Sequence, residues 1–397
     1  MDHDILVSGG GIAGLTATAA FAQAGFNVIC VDPAKPITVR DAQGADLRST
    51  AFLQPARALL EEVGLWTRLA PHAQPLQIMR IIDAGGPEPE ARMSKEFDAA
   101  DISDHPFGWN LPNWLLRREM AAHLETLPNV TYKTGVGARK LFTRTAEARV
   151  GLSDSTRVSA RLVIAADGRG SPMREAAGIN VSTTRFGQKA LAFAVTHETP
   201  HENVSTEIHR TGGPFTLVPL PDHEGRPSSA IVWMEEGPKA KALYEMSEDS
   251  FEVAMNTRSC GVLGLLKLAS QRTIWPIISQ HADRLSSERL ALIAEAAHVL
   301  PPIGAQGLNM SLSDIRALRD LAIARPEGLG DAAMLDAFHK ARFNDIRLRE
   351  AGITLLNQTS MLSAAPLRDA RAAGLNALYS FAPLRKSIMQ MGLGAKG

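Results

Sequence analysis

The sequence predicts a mixed α/β fold built from a parallel sheet, an inserted antiparallel sheet and a set of C-terminal helices. The first 32 residues show the pattern strand, glycine-rich turn, helix and strand, which is typical of the start of a parallel sheet. Short runs with partial alternation between residues 189 and 235 indicate antiparallel strands. From Asp331 onward strand patterns stop, so we expect helices there, interrupted near Pro366 and Pro383.

Composition narrows the class of protein. At about 150 residues per domain, 397 residues suggest two or three domains. Lys plus Arg and Asp plus Glu each total 42, so no nucleic-acid partner is expected, because such proteins need an excess of basic side chains. The two cysteines, Cys30 and Cys260, are too few for a disulfide framework or a cysteine-rich metal site. We therefore predict no metal site and a reducing, cytoplasmic location.

The C-terminal segment allows a peripheral contact with a membrane. No run in the sequence approaches the roughly 20 apolar residues that span a bilayer. The segment 351–397 carries a net charge of +4, and Leu375, Leu378, Phe381 and Leu384 lie among its charges. A basic amphipathic segment can lie on the inner face of an anionic membrane. The alternative is a helix that packs on the protein with its charged side in water.

The glycine-rich turn has the pattern and the setting of a dinucleotide-binding turn. Gly9-x-Gly11-x-x-Gly14 lies between the first strand and the first helix. Its glycines allow a tight turn and a close approach of a pyrophosphate to the backbone. The helix N-terminus, which includes Ile12 and Ala13, offers free N–H groups and the positive end of the helix dipole. The turn therefore predicts a Rossmann-like domain that binds FAD or NAD.

An acidic residue completes this motif. Asp32 ends the second strand, where its carboxylate can accept hydrogen bonds from a ribose. A second copy of the glycine pattern, Gly392-x-Gly394-x-x-Gly397, follows no strand and is interpreted as a tail.

Two further motifs favour FAD over NAD. Asp167-Gly168 follows a strand predicted over Ala160–Ala166. The run from Ala294 to His298 precedes a loop with glycines, and a helix is predicted to begin near Met310. A glycine-containing loop that enters a helix lets backbone N–H groups face a flavin ring, and the dipole there favours negative charge on the reduced flavin.

With these three motifs in order, the sequence resembles the FAD-dependent aromatic hydroxylases of the para-hydroxybenzoate hydroxylase fold. Among them it is most similar to the ubiquinone-biosynthesis hydroxylases. Supporting matches include Asp46-x-Arg48, the run from Asn113 to Arg117, and Trp275-Pro276-Ile277. The resemblance covers nearly the whole chain. It implies an FAD-binding domain from residues 1–70, 108–185 and 275–330, a substrate-binding sheet domain from 71–107 and 186–274, and a helical segment over 331–397.

The resemblance also implies roles for the matching residues. Asp32 would bind the adenosine ribose, and Asp167 would serve both FAD and the passing NAD(P)H. Three residues would lie near the flavin diphosphate and ribityl chain: Arg48, Asn113 and Arg117. For Arg48, the alternative is a surface salt bridge. Four residues would form the loop against the pyrimidine edge of the flavin: Gly304, Gly307, Leu308 and Asn309.

The chain departs from the family pattern at two places. It has Ala294-Glu295 where the family usually has Gly-Asp, and Gly304-Ala305-Gln306 where Ala-Gly-Gln is usual. Glu295 keeps the carboxylate with one more methylene, so we expect it still to reach the ribityl chain.

The implied function is that of an FAD-dependent monooxygenase. In the family, NAD(P)H reduces FAD transiently, and a flavin C4a-hydroperoxide delivers one oxygen atom of dioxygen to an aromatic ring. The cofactor performs this chemistry, so no catalytic acid or base is predicted. The expected substrate is a polyprenylated phenol of ubiquinone biosynthesis, held in an apolar pocket roofed by the middle sheet.

Several alternatives remain open at this stage. The chain could hydroxylate a soluble aromatic compound, or it could be a flavin reductase of isoprenoid chains. In a different class, it could be a flavin-poor scaffold subunit of a quinone-synthesis complex, an alternative suggested by Ala294-Glu295.

Overall fold

The computed structural model describes residues 2–85, 88, 90–210, 212–361 and 379–393. Within these ranges the longer helices are as follows: α1 Ile12–Gln23, α2 Gln54–Glu62, α3 Trp66–Leu69, α4 Asn113–Leu124, α5 Pro172–Ala176, α6 Gly237–Glu245, α7 Glu248–Ser259, α8 Gln306–Ala324, α9 Ala332–Ser360 and α10 Ala382–Leu393. Short 3-10 helices cover Ala70–His72, Ala99–Asp101, Ala294–Ala296 and Pro326–Gly328.

The strands of the described residues form three sheets. The bounds are β1 His3–Ser8, β2 Val28–Asp32, β3 Ser49–Leu53, β4 Gln74–Leu76, β5 Ile78–Asp83, β6 Met93–Asp98, β7 Gly108–Pro112, β8 Val130–Thr134, β9 Ala138–Thr143, β10 Ala148–Leu152, β11 Arg157–Ala165, β12 Val181–Thr196, β13 Val204–His209, β14 Pro214–His223, β15 Arg226–Glu236, β16 Lys267–Leu268, β17 Thr273–Ala282, β18 Ser286–Ser287, β19 Leu290–Leu292 and β20 His298–Val299. A small third sheet has the order β3-β7-β4.

The first sheet has a parallel centre, as the N-terminal pattern predicts. Its strand order is β18-β19-β11-β1-β2-β8, and β9 and β10 extend it beside β11. Strands β19, β11, β1, β2 and β8 pair in parallel. Ile5, Leu6 and Val7 of β1 are fully buried, because a central parallel strand is covered on both faces.

Helix α1 covers one face of this sheet. Residues 13–22 are buried along its length, and the helix packs against α4 and α8. It ends as the sequence indicates: Ala24 caps the C-terminus, and Gly25 follows with a φ of +89°, a left-handed conformation that glycine adopts without strain.

The second, larger sheet is mainly antiparallel, as predicted for the middle of the chain. Its order is β20-β17-β12-β15-β14-β13-β5-β6, with β16 beside β12. One pair departs from the prediction, because β5 and β13 are parallel. One face of the sheet packs under α6 and α7 through residues such as Leu191 and Phe193. The opposite face carries Ala190, Met234 and Ile277.

The C-terminal part is helical where it is described. Helix α9 spans 29 residues and is followed after the gap by α10. The interruption predicted near Pro383 is confirmed: Tyr379 and Ser380 are helical, Phe381 is not, and α10 begins anew at Ala382. Pro383 lies in the first turn of α10, where its missing N–H breaks no intrahelical bond. Pro366, Leu375 and Leu378 lie outside the described residues.

Two strands of the second sheet run across the predicted boundaries between an FAD-binding domain and a substrate-binding sheet domain. Strand β12 begins before residue 186, and β17 begins before residue 275 although it belongs wholly to the second sheet. The domain boundaries therefore stay a prediction.

Candidate active site

Four neighbouring strands of the first sheet place the sequence motifs at one edge. Strands β19, β11, β1 and β2 lie side by side and run parallel. The glycine turn follows β1, Asp32 ends β2, Asp167 follows β11, and Ala294 follows β19. Because parallel strands end at the same edge, the motifs from four distant parts of the chain line one crevice. Open α/β sheets bind their ligands in such crevices.

The glycine turn is closed by backbone contacts that leave no room for side chains. Gly9 has a φ of +108°, and a Cβ on it would lie 2.4 Å from the carbonyl oxygen of Ala166. A Cβ on Gly14 would lie 1.9 Å from the carbonyl oxygen of Gly9. These two glycines allow the strand, the turn and α1 to approach one another.

Gly11 differs from its neighbours in the motif because its Cβ position is open. A Cβ there would meet no atom of the described residues within 4 Å. Gly11 is the N-cap of α1, no side chain caps this helix, and its first turn holds no acidic residue. The backbone N–H groups of Ile12 and Ala13 lie at the positive end of α1 and face the open space beside Gly11. This open space between Gly11 and the start of α1 is called the cradle below.

Asp32 lies beside this cradle. Its carboxylate accepts hydrogen bonds from the backbone N–H of Gly10, at 2.5 Å, and of Ala34, at 2.8 Å. Burial and the nearby negative charge of Asp32 raise the pKa of the Tyr132 hydroxyl above its ordinary value. The side chain of Asp32 thus adjoins the turn, as the motif predicts.

The structure gathers Arg48, Asn113 and Arg117 around one carboxylate, Asp46. Arg48 donates from Nε and Nη2 to Asp46 at 2.8 and 2.7 Å, and Asn113 Nδ2 donates to Asp46 Oδ2 at 3.0 Å. Burial opposes ionisation of Asp46, but the hydrogen bond and charge of Arg48, the bond from Asn113 and the charge of Arg117 outweigh it and lower the pKa. Asp46 was not predicted as a site residue, although it opens the Asp46-x-Arg48 motif.

This cluster reaches towards the third motif and the second sheet. The Arg48 guanidinium lies 5.5 Å from the centroid of the Trp275 ring. The hydrogen bond to Asp46 and the charges of Asp46 and Glu295 raise the pKa of Arg48, against the effect of burial. Arg48 thus makes the salt bridge of the alternative interpretation and still lies in the crevice. Among the described residues, the buried Nε of Arg117 has no hydrogen-bond partner.

Asp167 has one satisfied and one free carboxylate oxygen within the described part of the chain. Its Oδ2 accepts from Ser8 Oγ at 3.1 Å and from the Met173 N–H at 3.3 Å, whereas Oδ1 is buried with no hydrogen-bond partner. Burial raises the pKa of Asp167 above the usual range of an aspartate. A buried acceptor of this kind needs a donor from a ligand or a water molecule.

The third motif forms a 3-10 turn with an exposed acid. Glu295 is exposed between the buried residues Ala294 and Ala296. Ala294 has a φ of +55°, in the left-handed region that favours glycine, which gives a physical reason for the glycine usual at this position. His298 is buried and its Nε2 lies 2.6 Å from Asp314 Oδ2, so its role is structural.

The helix after this motif begins earlier than the sequence predicts. We expected it near Met310, but α8 begins at Gln306. Gly304 and Ala305 have φ values of +63° and +55°, so two consecutive left-handed residues turn the chain directly into the helix. Gly307, Leu308 and Asn309 consequently form the first turn of α8 instead of a loop.

Asn309 holds this helix start against the third sheet. Its Oδ1 accepts from the Leu53 N–H at 2.9 Å, and its Nδ2 donates to the carbonyl oxygens of Ala51, at 2.8 Å, and Ala305, at 2.6 Å. These hydrogen bonds use both the oxygen and the NH2 group of the Asn309 side chain. They help to offset the low helix propensity of Gly307. Among the described residues, no side chain caps the N-terminus of α8, so its backbone N–H groups can face a ligand.

The residues at this edge fit FAD. The cradle at Gly11 offers a place for a pyrophosphate, Asp32 for a ribose, and the uncapped start of α8 for the electron-rich edge of a flavin ring. Among the described residues, Asp167 Oδ1 and Arg117 Nε are buried without a hydrogen-bond partner. The fold and the site together assign this protein to the class of flavin-binding proteins that are built from a nucleotide sheet and a separate substrate sheet.

Comparison with known proteins agrees with this class. The profile of the FAD binding domain family matches residues 2–347, and the chain belongs to this family. It is 31% identical to "Ubiquinone hydroxylase UbiL" of Rhodospirillum rubrum, over 98% of this chain and 89% of that protein. It is 26% identical to "3-demethoxyubiquinol 3-hydroxylase" of Escherichia coli, over 98% of each chain.

The solved structures show the same fold. The structure of p-nitrophenol 4-monooxygenase PnpA from Pseudomonas putida DLL-E4 superimposes with a TM-score of 0.80 at 18% identity, covering 100% of this chain and 99% of that one. The predicted fold class, the FAD cofactor and the resemblance to the FAD-dependent aromatic hydroxylases are confirmed, and the chain is a flavoprotein monooxygenase. NAD(P)H as reductant accords with this family. None of the described helices is both long and apolar enough to cross a bilayer.

Proposed function

We propose that this monooxygenase hydroxylates the ring of a polyprenylated phenol or quinol that is a precursor of ubiquinone. The observation that carries the proposal is an apolar cluster on the second sheet, on the face that adjoins the crevice. Its buried members are Ala190, Met234 and Ile277, and the partly buried residues packed against them are Phe186, Val232, Trp275 and Ile303. Ile303 belongs to the loop before α8, so the cluster lies between the substrate sheet and the flavin loop.

The apolar side chains of this cluster favour a ring with an apolar tail. Each methylene that a prenyl chain buries contributes about 0.8 kcal/mol, so the tail can supply most of the binding free energy. The hydroxylases named among the relatives act on ubiquinone precursors, which supports the same substrate class for this chain.

The proposed cofactor contacts follow from the placement of the motifs. Gly9, Gly11 and Gly14 would shape the pyrophosphate cradle, with the N–H groups of Ile12 and Ala13 as donors. Bound FAD supplies the chemistry that activates dioxygen after reduction by NAD(P)H.

The side chains around the cradle would hold the rest of the cofactor. Asp32 would accept from the adenosine ribose, and Asp167 would accept a donor at its free Oδ1. Three residues are proposed near the diphosphate and ribityl chain, namely Arg48, Asn113 and Arg117, with Glu295 at the ribityl chain beside Arg48. The first turn of α8 would face the flavin ring through the backbone of Gly304, Gly307 and Leu308, while Asn309 positions that turn. The apolar cluster would exclude water from the reacting ring.

Attachment to a membrane or to a quinone-synthesis complex is a further part of the proposal. The described C-terminal residues support a packed helix at Arg385, because its guanidinium lies 3.2 Å from Asp101 and 4.9 Å from the Tyr379 ring centroid. Phe381 is 61% exposed and Lys386 is exposed, so these two side chains are available to a surface.

The proposed substrate class can be tested in the cell and in solution. After deletion of the gene, mass spectrometry of quinone intermediates should show accumulation of a polyprenylated ring that lacks one hydroxyl group. Purified protein should show a flavin absorbance band at about 450 nm and should oxidise NAD(P)H faster when a short-chain prenylphenol is added. A colourless protein would instead support the scaffold alternative, and stimulation by unprenylated phenols alone would support a soluble aromatic substrate.

A further inference from the structure

A pair of buried amides adjoins the apolar cluster on the second sheet. Gln188 lies on the same face of β12 as Ala190, because side chains alternate along a strand. Gln188 Nε2 donates to the carbonyl oxygen of Gly212 at 2.7 Å, and its Oε1 accepts from Asn357 Nδ2 at 2.9 Å. Gln188 is 2% exposed and Asn357 is fully buried.

The contacts of α9 place Asn357 over this face. Glu350 of α9 accepts from Ser279 Oγ at 2.7 Å, and Ser279 shares a strand face with Ile277 of the apolar cluster. Two turns further along α9 from Glu350, Asn357 meets Gln188. The amide pair also borders Met234: a Cβ on Gly213 would lie 2.8 Å from Met234 Cβ and 2.9 Å from Gln188 Nε2.

The hydrogen bonds determine how both amides are turned. The Gly212 carbonyl can only accept, so Gln188 must direct its NH2 group towards it. The oxygen of Gln188 then faces Asn357, which must in turn present its NH2 group. This leaves Oδ1 of Asn357, and among the described residues that buried oxygen has no hydrogen-bond partner. Buried acceptors without a donor are uncommon in folded proteins and call for a ligand or a water molecule.

We propose that Asn357 Oδ1 accepts the hydrogen bond of the ring hydroxyl of the substrate and thereby determines specificity for a phenol. The inference rests on the proposed function and adds to it the residue that recognises the ring. Gln188 acts as a positioning residue, because it keeps the oxygen of Asn357 available. A site built to bind a hydroxyl discriminates strongly against the analogue that lacks it, since a buried polar group is then left unpaired.

The test is a comparison of two ligands on matched variants. The ligands are 2-geranylphenol and geranylbenzene, which differ only in the hydroxyl, and binding to the FAD-loaded protein is measured by calorimetry. Asn357→Leu should weaken binding of 2-geranylphenol by about 10–100-fold, the effect of leaving the hydroxyl unpaired. It should change binding of geranylbenzene by less than about threefold. Gln188→Met should show the same selectivity with a smaller loss.

Ser360→Ala is the control for α9. Its hydroxyl donates to the carbonyl oxygen of Asn357 within the helix, so this variant should leave the preference for the phenol unchanged. Equal losses for both ligands in Asn357→Leu would show a purely structural role and overturn the inference, while the proposed function would stand. If Asn357→Leu does not fold, Gln188→Met decides by the same comparison. Absence of 2-geranylphenol binding to wild type would overturn the proposed substrate class and the inference with it.

Discussion

Two glycines of the same motif should fail in opposite ways when each is replaced by alanine. A methyl group on Gly11 meets no atom of the described part of the chain within 4 Å, whereas one on Gly14 would lie 1.9 Å from the carbonyl oxygen of Gly9. Gly11→Ala should therefore fold but bind FAD more weakly, and Gly14→Ala should lose stability. The structure thus separates the binding role of one glycine from the packing role of the other.

The expected magnitudes follow from these contacts. The apo protein should lose about 1 kcal/mol with Gly11→Ala, since alanine is a poorer N-cap than glycine. Displacing the pyrophosphate from one or two charge-assisted hydrogen bonds costs about 1.5–3 kcal/mol each, so FAD affinity should fall at least tenfold. Gly11→Val should fall further, to the point where the purified protein carries no flavin. For Gly14→Ala, overpacking against backbone should cost about 2–3 kcal/mol.

Two measurements on each variant decide this prediction. Thermal melting of apo protein reports the fold, and titration with FAD reports the cradle. Gly352→Ala in α9 is the matched control, because its Cβ position is also open and Gly352 itself is exposed. Full flavin occupancy in Gly11→Val, or a drop in melting temperature of Gly11→Ala as large as that of Gly14→Ala, would refute the reasoning.

Three further predictions concern stability and pH. Ala305→Gly should raise the free energy of unfolding in denaturant by about 0.5–1 kcal/mol, because it removes the strain of a left-handed backbone at an exposed site. Ala294→Gly should leave the free energy of unfolding nearly unchanged, because it relieves the same strain but also removes a buried methyl group. Asp314→Asn should cost about 3–5 kcal/mol at pH 7, because it leaves Arg342 without its buried partner. Burial opposes ionisation of Asp314, but His298 and Arg342 outweigh it and lower the pKa of this carboxyl. The ionised carboxylate therefore stabilises the fold above about pH 4, and this contribution is lost as the pH falls further. In a pH series, the free energy of unfolding should decline less steeply towards acid in the variant than in the wild type. Asp167→Asn should raise the melting temperature of apo protein, since burial raises the pKa of this carboxyl, and should weaken FAD binding; lower apo stability would contradict it.

The local sequence was sufficient for the nucleotide turn and for the elements around it. Gly9, Gly11 and Gly14 between an apolar strand and a helix admit few other structures, because the turn must bring backbone close to backbone. Asp32 could be predicted to lie beside the turn, since the second strand runs parallel to the first and both end at the same edge of the sheet. The antiparallel character of the middle sheet also followed from local alternation and turns.

Contacts between distant segments decided the remaining features. The start of α8 was placed four residues too late because Gly304 and Gly307 predict a loop, and the helix is anchored there by Asn309 through bonds to β3. Asp46 escaped notice as a site residue, because its importance comes from Asn113, 67 positions away.

The apolar cluster and the amide pair show the same limit most clearly. Phe186, Trp275 and Ile303 come from two strands and a loop, and no periodicity in the sequence relates them. Asn357 and Gln188 are 169 residues apart. The oxygen of Asn357 is free only because the Gly212 carbonyl takes the NH2 group of Gln188, and the oxygen of Gln188 then takes the NH2 group of Asn357. The sequence by itself determined which cofactor the protein binds, because the motifs that indicate FAD are short patterns of neighbouring residues. Only the tertiary structure decided what surrounds the substrate, because a pocket is formed by side chains that meet after the sheets have packed.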